Sequence, residues 1–165
     1  MKTVNIKGKE YVEVHERIAY LRKNYADAQL ITELISNDNG VCVFKATLMV
    51  NERVVATGHA YEKEDSTYIN KTSYIENCET SAVGRCLGNF GIGINSSVAS
   101  ADEVVNAITQ QQQKKERNEW ETKLLEQAKG NADVLIGISE SWHNGIKSEK
   151  QYHWFSKQLV DRNYK

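Results

Sequence analysis

Apolar positions along the chain change their period several times, and the changes mark the elements. From Val12 to Tyr25 they fall at Val14, Ile18, Leu21 and Tyr25, the spacing of a short amphipathic helix. Arg17, Arg22 and Lys23 lie off that stripe and read as its solvated face. Residues 1–11 before it are polar and read as frayed. Three strand-like runs follow: Leu30–Ser36, Val41–Val50 and Arg53–Glu64. Asn37-Asp38-Asn39-Gly40 separates the first two and Asn51-Glu52 the second and third, so both connections read as tight hairpins. In the second run Cys42, Phe44, Ala46, Leu48 and Val50 share one face. In the third, Val54, Ala56, Gly58 and Ala60 alternate with Val55, Thr57, His59, Tyr61 and Lys63. One sheet face therefore packs a core, and the other carries Lys45, Thr47, Thr57, His59, Tyr61 and Lys63.

The period returns to helical over Thr72–Ile94. Ser73 and Glu76 have capping-box spacing, and Gly91-Ile92-Gly93 ends the run. Val83, Cys86, Leu87 and Phe90 gather on one side of this helix. Tyr74, Asn77, Ser81, Gly84, Arg85 and Gly88 gather on the other. Glycine inside a helix costs about 1 kcal/mol relative to alanine, so Gly84 and Gly88 point to a backbone approached closely there. Two readings of that strip remain open: close packing with Arg85 in a salt bridge, or Arg85 presented to an anionic partner. Glu76 and Glu79 fall toward the apolar side. Either their place in the first two turns favours the helix dipole, or they reach across a subunit contact.

Beyond the glycine stop, Ser100 and Glu103 form a second capping box, and Val104, Val105 and Ile108 continue a helix. Thr109–Glu119 (TQQQQKKERNE) has no apolar residue, so it is a solvated helix or a linker. The expected organisation is a core domain over residues 1–109, this polar segment over 110–119, and a small helical region over 120–165. In the last, Trp120, Leu124 and Leu125 start a helix ending near Gly130, and Ser148 to Gln151 opens another carrying Tyr152, Phe155 and Leu159. This aromatic-rich tail is small for independent stability, which leaves it docking on a partner or folding back on the core domain. The expected fold class is α+β: an antiparallel sheet of three or more strands, a long helix packed with it, and a helical C-terminal appendage.

Composition narrows the chemistry. The net charge of −1 excludes binding by bulk charge but leaves room for a local cationic groove. Three cysteines without CxxC spacing read as small buried hydrophobes in a reducing compartment. No long apolar run or leader-like start is present, which points to a soluble cytoplasmic chain without a membrane segment. No P-loop, HExxH or metal-ligand spacing of histidines and cysteines occurs, so no metal, cofactor or catalytic residue is expected. Cys78 with His59 as thiol and base lacks any accompanying oxyanion signature. Cations interleaved with hydroxyls and an aromatic on one sheet face suit phosphates and stacked bases, though an ordinary solvated face has the same composition. Lys71, just before the helix start, is a further candidate phosphate contact.

The runs INKTSYIENCETSAVGRCLGNFGIGI, VVATGHAYEKE and EYVEVHERIAYLRKNY resemble a family of phage and prophage single-strand annealing proteins. That family belongs to the wider group holding the ERF recombination proteins and the eukaryotic Rad-fifty-two annealing domain. The resemblance spans about Glu10 to Val105 and is strongest over Thr57–Ala101. It implies a curved antiparallel sheet crossed by a long helix and assembly into rings or helical filaments. It also implies ATP-independent annealing of single-stranded DNA in phage recombination, in the cytoplasm of a bacterial host. The implied DNA-binding residue is Arg85, joined on the sheet and hairpins by Lys45, Tyr61, Lys63 and Lys71, and less directly by Arg53 and His59. Further implied partners are a host single-strand-binding protein or a phage exonuclease, through the C-terminal region. The chain departs from the family pattern at Cys86, where alanine is usual, and at Asn89, where a hydrophobic residue is common and either looser helix packing or a changed subunit contact is expected. Gly84 replaces a basic residue of the eukaryotic relatives.

Overall fold

The computed structural model describes residues 1–94 and 97–162. The protein is α+β, and its chain divides into two compact units, Met1–Gln110 and Gln111–Lys165. In the first unit the element order is β1 (Thr3–Ile6), β2 (Lys9–Val12), α1 (Val14–Asn24), β3 (Gln29–Asp38), β4 (Val41–Val50) and β5 (Arg53–Lys63). A short 3-10 turn (Ile69–Lys71), α2 (Tyr74–Asn89) and the start of α3 (Ala101–Gln127) follow. Residues 1–11 are not frayed: β1 and β2 pair as an antiparallel hairpin. Lys7 and Gly8 turn it with φ of 51° and 82°, and Asn5 Nδ2 donates to Glu10 Oε1 across it. The polar composition hid a hairpin whose turn rests on one glycine.

The main sheet has the order β3-β4-β5, fully antiparallel. Asn39 and Gly40 (φ 53° and 70°) close the first hairpin, and Asn51 and Glu52 (φ 50° and 62°) the second. The inward row Cys42, Phe44, Ala46 and Leu48 is buried as the alternation predicts. Val54 departs from it, being 59% exposed. A register shift lies between Leu48 and Met49, so Met49 pairs with Val54 while Leu48 pairs with Ala56, and the inward phase restarts at Ala56.

Helix α2 covers the inner face of the sheet. It ends in a full Schellman motif: Gly91 N–H donates to Gly88 O (2.9 Å) and Ile92 N–H to Leu87 O (3.0 Å), with Gly91 at φ 104°. Its start does not follow the capping-box expectation. Ser73 makes no side-chain cap bond, because it still belongs to the preceding turn, where its N–H donates to Ile69 O. The close helix-to-sheet approach comes from the strand side. A Cβ on Gly58 would stand 2.6 Å from Ala82 O and 2.8 Å from Cys86 Cα, both backbone atoms of α2.

The glycines of α2 serve a different neighbour. A Cβ on Gly84 would meet Val14 Cγ2 at 2.7 Å, and one on Gly88 would meet Arg17 Nη1 and Val98 O, each at 2.6 Å. Of the two readings of this strip, its glycines follow the close-packed one, and the neighbours are α1 and the segment before α3 rather than the sheet. This also corrects Arg17, which is fully buried rather than solvated. Its Nη1 donates to the carbonyls of Gly84 (2.6 Å) and Val98 (2.9 Å), and its Nη2 to those of Gly93 and Ala99 (both 3.3 Å). A helical wheel drawn for one covered side could not anticipate a second.

The Ser100–Glu103 box forms as expected, with Ser100 N–H to Glu103 Oε2 at 2.9 Å and Glu103 N–H to Ser100 Oγ at 3.2 Å. The polar stretch after it is helix rather than linker, lying within α3 and carrying Gln112–Glu116 and Lys115–Glu119 pairs one turn apart.

In the second unit, the end of α3, α4 (Ala132–Ile138), a 3-10 turn (Glu140–Asn144) and α5 (Glu149–Asp161) enclose a separate core. Leu124, Ala128, Leu135, Ile146, Phe155 and Leu159 are buried in it, with Trp120, Trp142 and Tyr152 packed around them. The tail thus builds its own core. Ser148 caps α5 by accepting from Gln151 N–H at 3.2 Å.

Candidate functional site

On the first unit, an open concavity of about 380 Å³ lies beside the free edge of the sheet. Its walls are residues 59–62 of β5, Ser81 and Arg85 of α2, and Glu103, Asn106, Ala107 and Gln110 of α3. β5 is an edge strand, since among the described residues only β4 pairs with it. Glu64 N–H donates to Gly40 O, and counting back along the register turns Glu62, Ala60 and Gly58 toward β4. The peptide groups of Thr57, His59, Tyr61 and Lys63 then face the free edge. Two of these are plugged. Asn89 Nδ2 donates to Thr57 O (2.7 Å), and Ser66 Oγ donates to Lys63 O (2.6 Å). Asn89 therefore ties α2 to the edge strand rather than loosening the packing. Between the plugs, the N–H and C=O of His59 and Tyr61 have no protein partner among the described residues.

Arg85 stands at the mouth of this groove with its side chain 45% exposed, its Nη2 2.7 Å from Glu103 Oε1. Glu103 is held by three contacts: its Oε2 caps α3, its N–H returns the bond to Ser100, and Oε1 receives Arg85. The guanidinium is thus steered by a fixed carboxylate, and its other donors make no hydrogen bond among the described residues. Of the two readings open for the strip, the salt bridge is present, and it leaves the cation accessible.

The groove floor holds a polar chain that the sequence did not disclose. Glu62 is almost fully buried, and its Oε2 accepts from Asn70 Nδ2 (2.6 Å) and Gln110 Nε2 (3.3 Å). Asn77 donates to Asn70 Oδ1 (2.8 Å), and Asn106 donates to Asn77 Oδ1 (3.3 Å). Burial raises the Glu62 pKa; the two amides oppose the shift, and the charge of Glu103 adds to it. The available signal was position: Glu62 has inward parity in β5, and a charged residue facing a core needs partners.

The other candidates divide into three groups. His59 and Tyr61 line the groove, and Tyr61 is 72% exposed. Lys45 pairs in register with His59 and Val43 with Tyr61, so Lys45 and Lys63 continue the same outer face. Glu33 lies opposite Lys45 on β3, so that face is not uniformly basic. Lys71 is exposed at the end of the 3-10 turn, and Arg53 is exposed at the hairpin end of β5; neither lines the groove. Glu79, read as favouring the helix dipole or a subunit contact, accepts from Thr32 Oγ1 of β3 (2.5 Å).

The thiols are enclosed. Cys42, Cys78 and Cys86 are free and buried, and burial together with the neighbouring Cys42 pushes the Cys78 pKa up to about 12. A thiol so protonated is a poor nucleophile. Among the described residues no group of three His, Cys, Asp or Glu side chains is placed to hold a metal ion, and no helix is long and apolar enough to cross a membrane.

Residues 18–90, running from within α1 through β3, β4 and β5 to the end of α2, match the family described as Slr1353 N-terminal dsRNA-binding domain-like. The match takes in Arg85 and the β5 wall of the groove and stops short of α3. Among curated proteins and solved structures, none matches the chain.

Proposed function

We propose that the protein binds nucleic acid through the β5 edge groove and the adjoining outer sheet face. More specifically, we propose that it binds single-stranded DNA as a homo-oligomer and promotes annealing of complementary strands without ATP. The observation that carries this reading is the half-exposed Arg85 guanidinium, held by Glu103 beside a strand that displays His59, Tyr61 and Lys63. A phosphate would take the remaining donors of Arg85, Lys45 and Lys63 would neutralise neighbouring phosphates, and Tyr61 would stack a base. Each protomer offers few cations, so affinity would accumulate across an assembly, in keeping with a net charge near zero. The likeness to a dsRNA-binding-like domain supports a nucleic-acid partner, and the resemblance to phage annealing proteins supports the single-stranded choice.

The same family likeness favours one alternative, recognition of duplex RNA by shape and 2′-hydroxyl contacts. Fluorescence anisotropy with labelled single-stranded DNA and duplex RNA, matched in length and salt, separates the two. Annealing is read by timing duplex formation from complementary oligonucleotides with and without protein. Arg85→Ala is expected to weaken single-strand binding about fivefold to tenfold and to lower the salt slope by about 1. The fold should survive, since Glu103 keeps its capping bonds. Unchanged affinity and salt slope in this variant would place the binding surface elsewhere.

A further inference from the structure

One feature of the groove is more specific than phosphate binding requires. A surface for phosphates alone has no use for a nearly buried carboxylate, yet Glu62 lines this cavity. Its Oε2 takes both amide donors, from Asn70 and Gln110, while Oε1 has no hydrogen-bond partner among the described residues. Beside it lie the unpaired peptide groups of His59 and Tyr61 on the strand edge. A carbonyl and an N–H two residues apart on a free edge form an acceptor and donor set, which every base can satisfy in some orientation. The carboxylate is selective: it accepts from an exocyclic amino group and repels a carbonyl oxygen.

Resting on the nucleic-acid reading above, we infer that the β5 edge groove receives one unpaired base per protomer and prefers an amino-bearing base, with Glu62 as the discriminating acceptor. Arg85, at the mouth, holds the phosphate next to that base, and the strand edge fixes the base in its plane. Bases on either side stay outside the groove, where they remain free to pair with a second strand. The amides of Asn70 and Gln110 hold the carboxylate in place, so its free oxygen does not have to be ordered by the ligand.

Cytosine and thymine isolate the feature, since both are single rings and differ at position 4 in amino group against carbonyl. Affinities of the full-length protein for oligodeoxycytidine and oligodeoxythymidine of equal length are measured by anisotropy at pH 8 and fixed salt. At that pH the cytosine strand does not fold on itself, and the alkaline side favours the charged form of a carboxyl whose pKa is raised by burial. The expected result is a preference for cytosine of about fivefold or more. Glu62→Gln, which can turn an N–H toward a thymine carbonyl, should bring the ratio close to one. Ala107→Trp, an exposed wall position on α3, should fill the groove and erase the ratio without touching the buried network. Lys45→Ala should weaken both ligands alike and leave the ratio intact.

Equal binding of the two oligonucleotides by the unaltered protein overturns the base pocket while leaving the nucleic-acid reading in place. A cytosine preference that survives Glu62→Gln or Ala107→Trp overturns its placement in this groove. Binding of neither oligonucleotide ends both readings together.

Discussion

Two residues carry most of the chemistry of the first unit, and they illustrate opposite uses of a charge. Arg17 is enclosed with no carboxylate in hydrogen-bond contact among the described residues, its guanidinium donating to carbonyls of residues 84, 93, 98 and 99. Burial lowers its pKa, while the nearby charges of Glu103 and Asp102 act to raise it. Arg17→Met would leave those carbonyls without donors, and we expect a loss of about 3 kcal/mol or more in urea denaturation, read by amide exchange in α2. A loss below 1 kcal/mol would mean that water replaces the guanidinium without difficulty. Glu62 is the counterpart on the acid side. Its raised pKa means that the folded state holds the proton more tightly than the unfolded chain. First-unit stability should therefore fall as pH rises from the ordinary carboxylate range through the raised value. Glu62→Gln should flatten that fall, and a pH profile unchanged by the substitution would show that Glu62 titrates normally.

At the scale of elements, the arrangement around α2 rests on where a Cβ is missing. Gly58 lets the helix backbone settle on β5, while Gly84 and Gly88 let α1 and the segment before α3 settle on the helix. Gly58→Ala and Gly88→Ala should each destabilise the first unit by about 1–3 kcal/mol through overpacking against atoms that belong to backbone or to Arg17. Gly137 in α4 is a built-in control: a Cβ there meets nothing within 4 Å. Gly137→Ala should instead raise the stability of the second unit by about 0.5–1 kcal/mol through helix propensity. Thermal melts of the three variants check the order, and a stabilised Gly58→Ala would contradict the close approach. The same packing sets the groove, because Arg17 secures the carbonyls of Val98 and Ala99 just ahead of the Ser100 cap, and that cap positions Glu103 against Arg85.

At the scale of the whole molecule, the two units offer separable signals. All three tryptophans, Trp120, Trp142 and Trp154, lie in the second unit, so tryptophan fluorescence reports that unit by itself. Phe155 is fully buried there, in edge contact with Trp142 and Trp154. Phe155→Ala should lower the fluorescence-detected transition by about 3–5 kcal/mol. The exchange of α2 amides in the first unit should remain as in the unaltered protein. A shift of both signals by the same amount would mean that the units unfold as one cooperative body. The proposed DNA-binding residues all belong to the first unit, so this variant also tests whether binding needs the second core.

The sequence by itself determined the elements whose signals are local. Asn39-Gly40 requires the left-handed backbone of a tight turn, period-two alternation placed Cys42 to Leu48 inward, and Gly91 stopped α2. The capping pair Ser100 and Glu103 was equally legible, because both partners lie within one helical turn. Arg85 was singled out on its helix, as were His59 and Tyr61 on their strand, but their meeting around one groove depends on α2 crossing the edge of β5. Other features depended on residues distant in sequence. Arg17 looked solvated because a single helix does not reveal that a segment some eighty residues later will supply carbonyls to it. Ser73 looked like a cap until the preceding turn claimed its N–H, and Val54 looked inward until a bulge shifted its phase. Glu62 and its amides became a groove floor only when β5, α2 and α3 converged. Periodicity and turn chemistry act within a few residues and can be read along the chain; burial of a charge and the walls of a cavity are properties of what packs from elsewhere, and only the tertiary structure decides them.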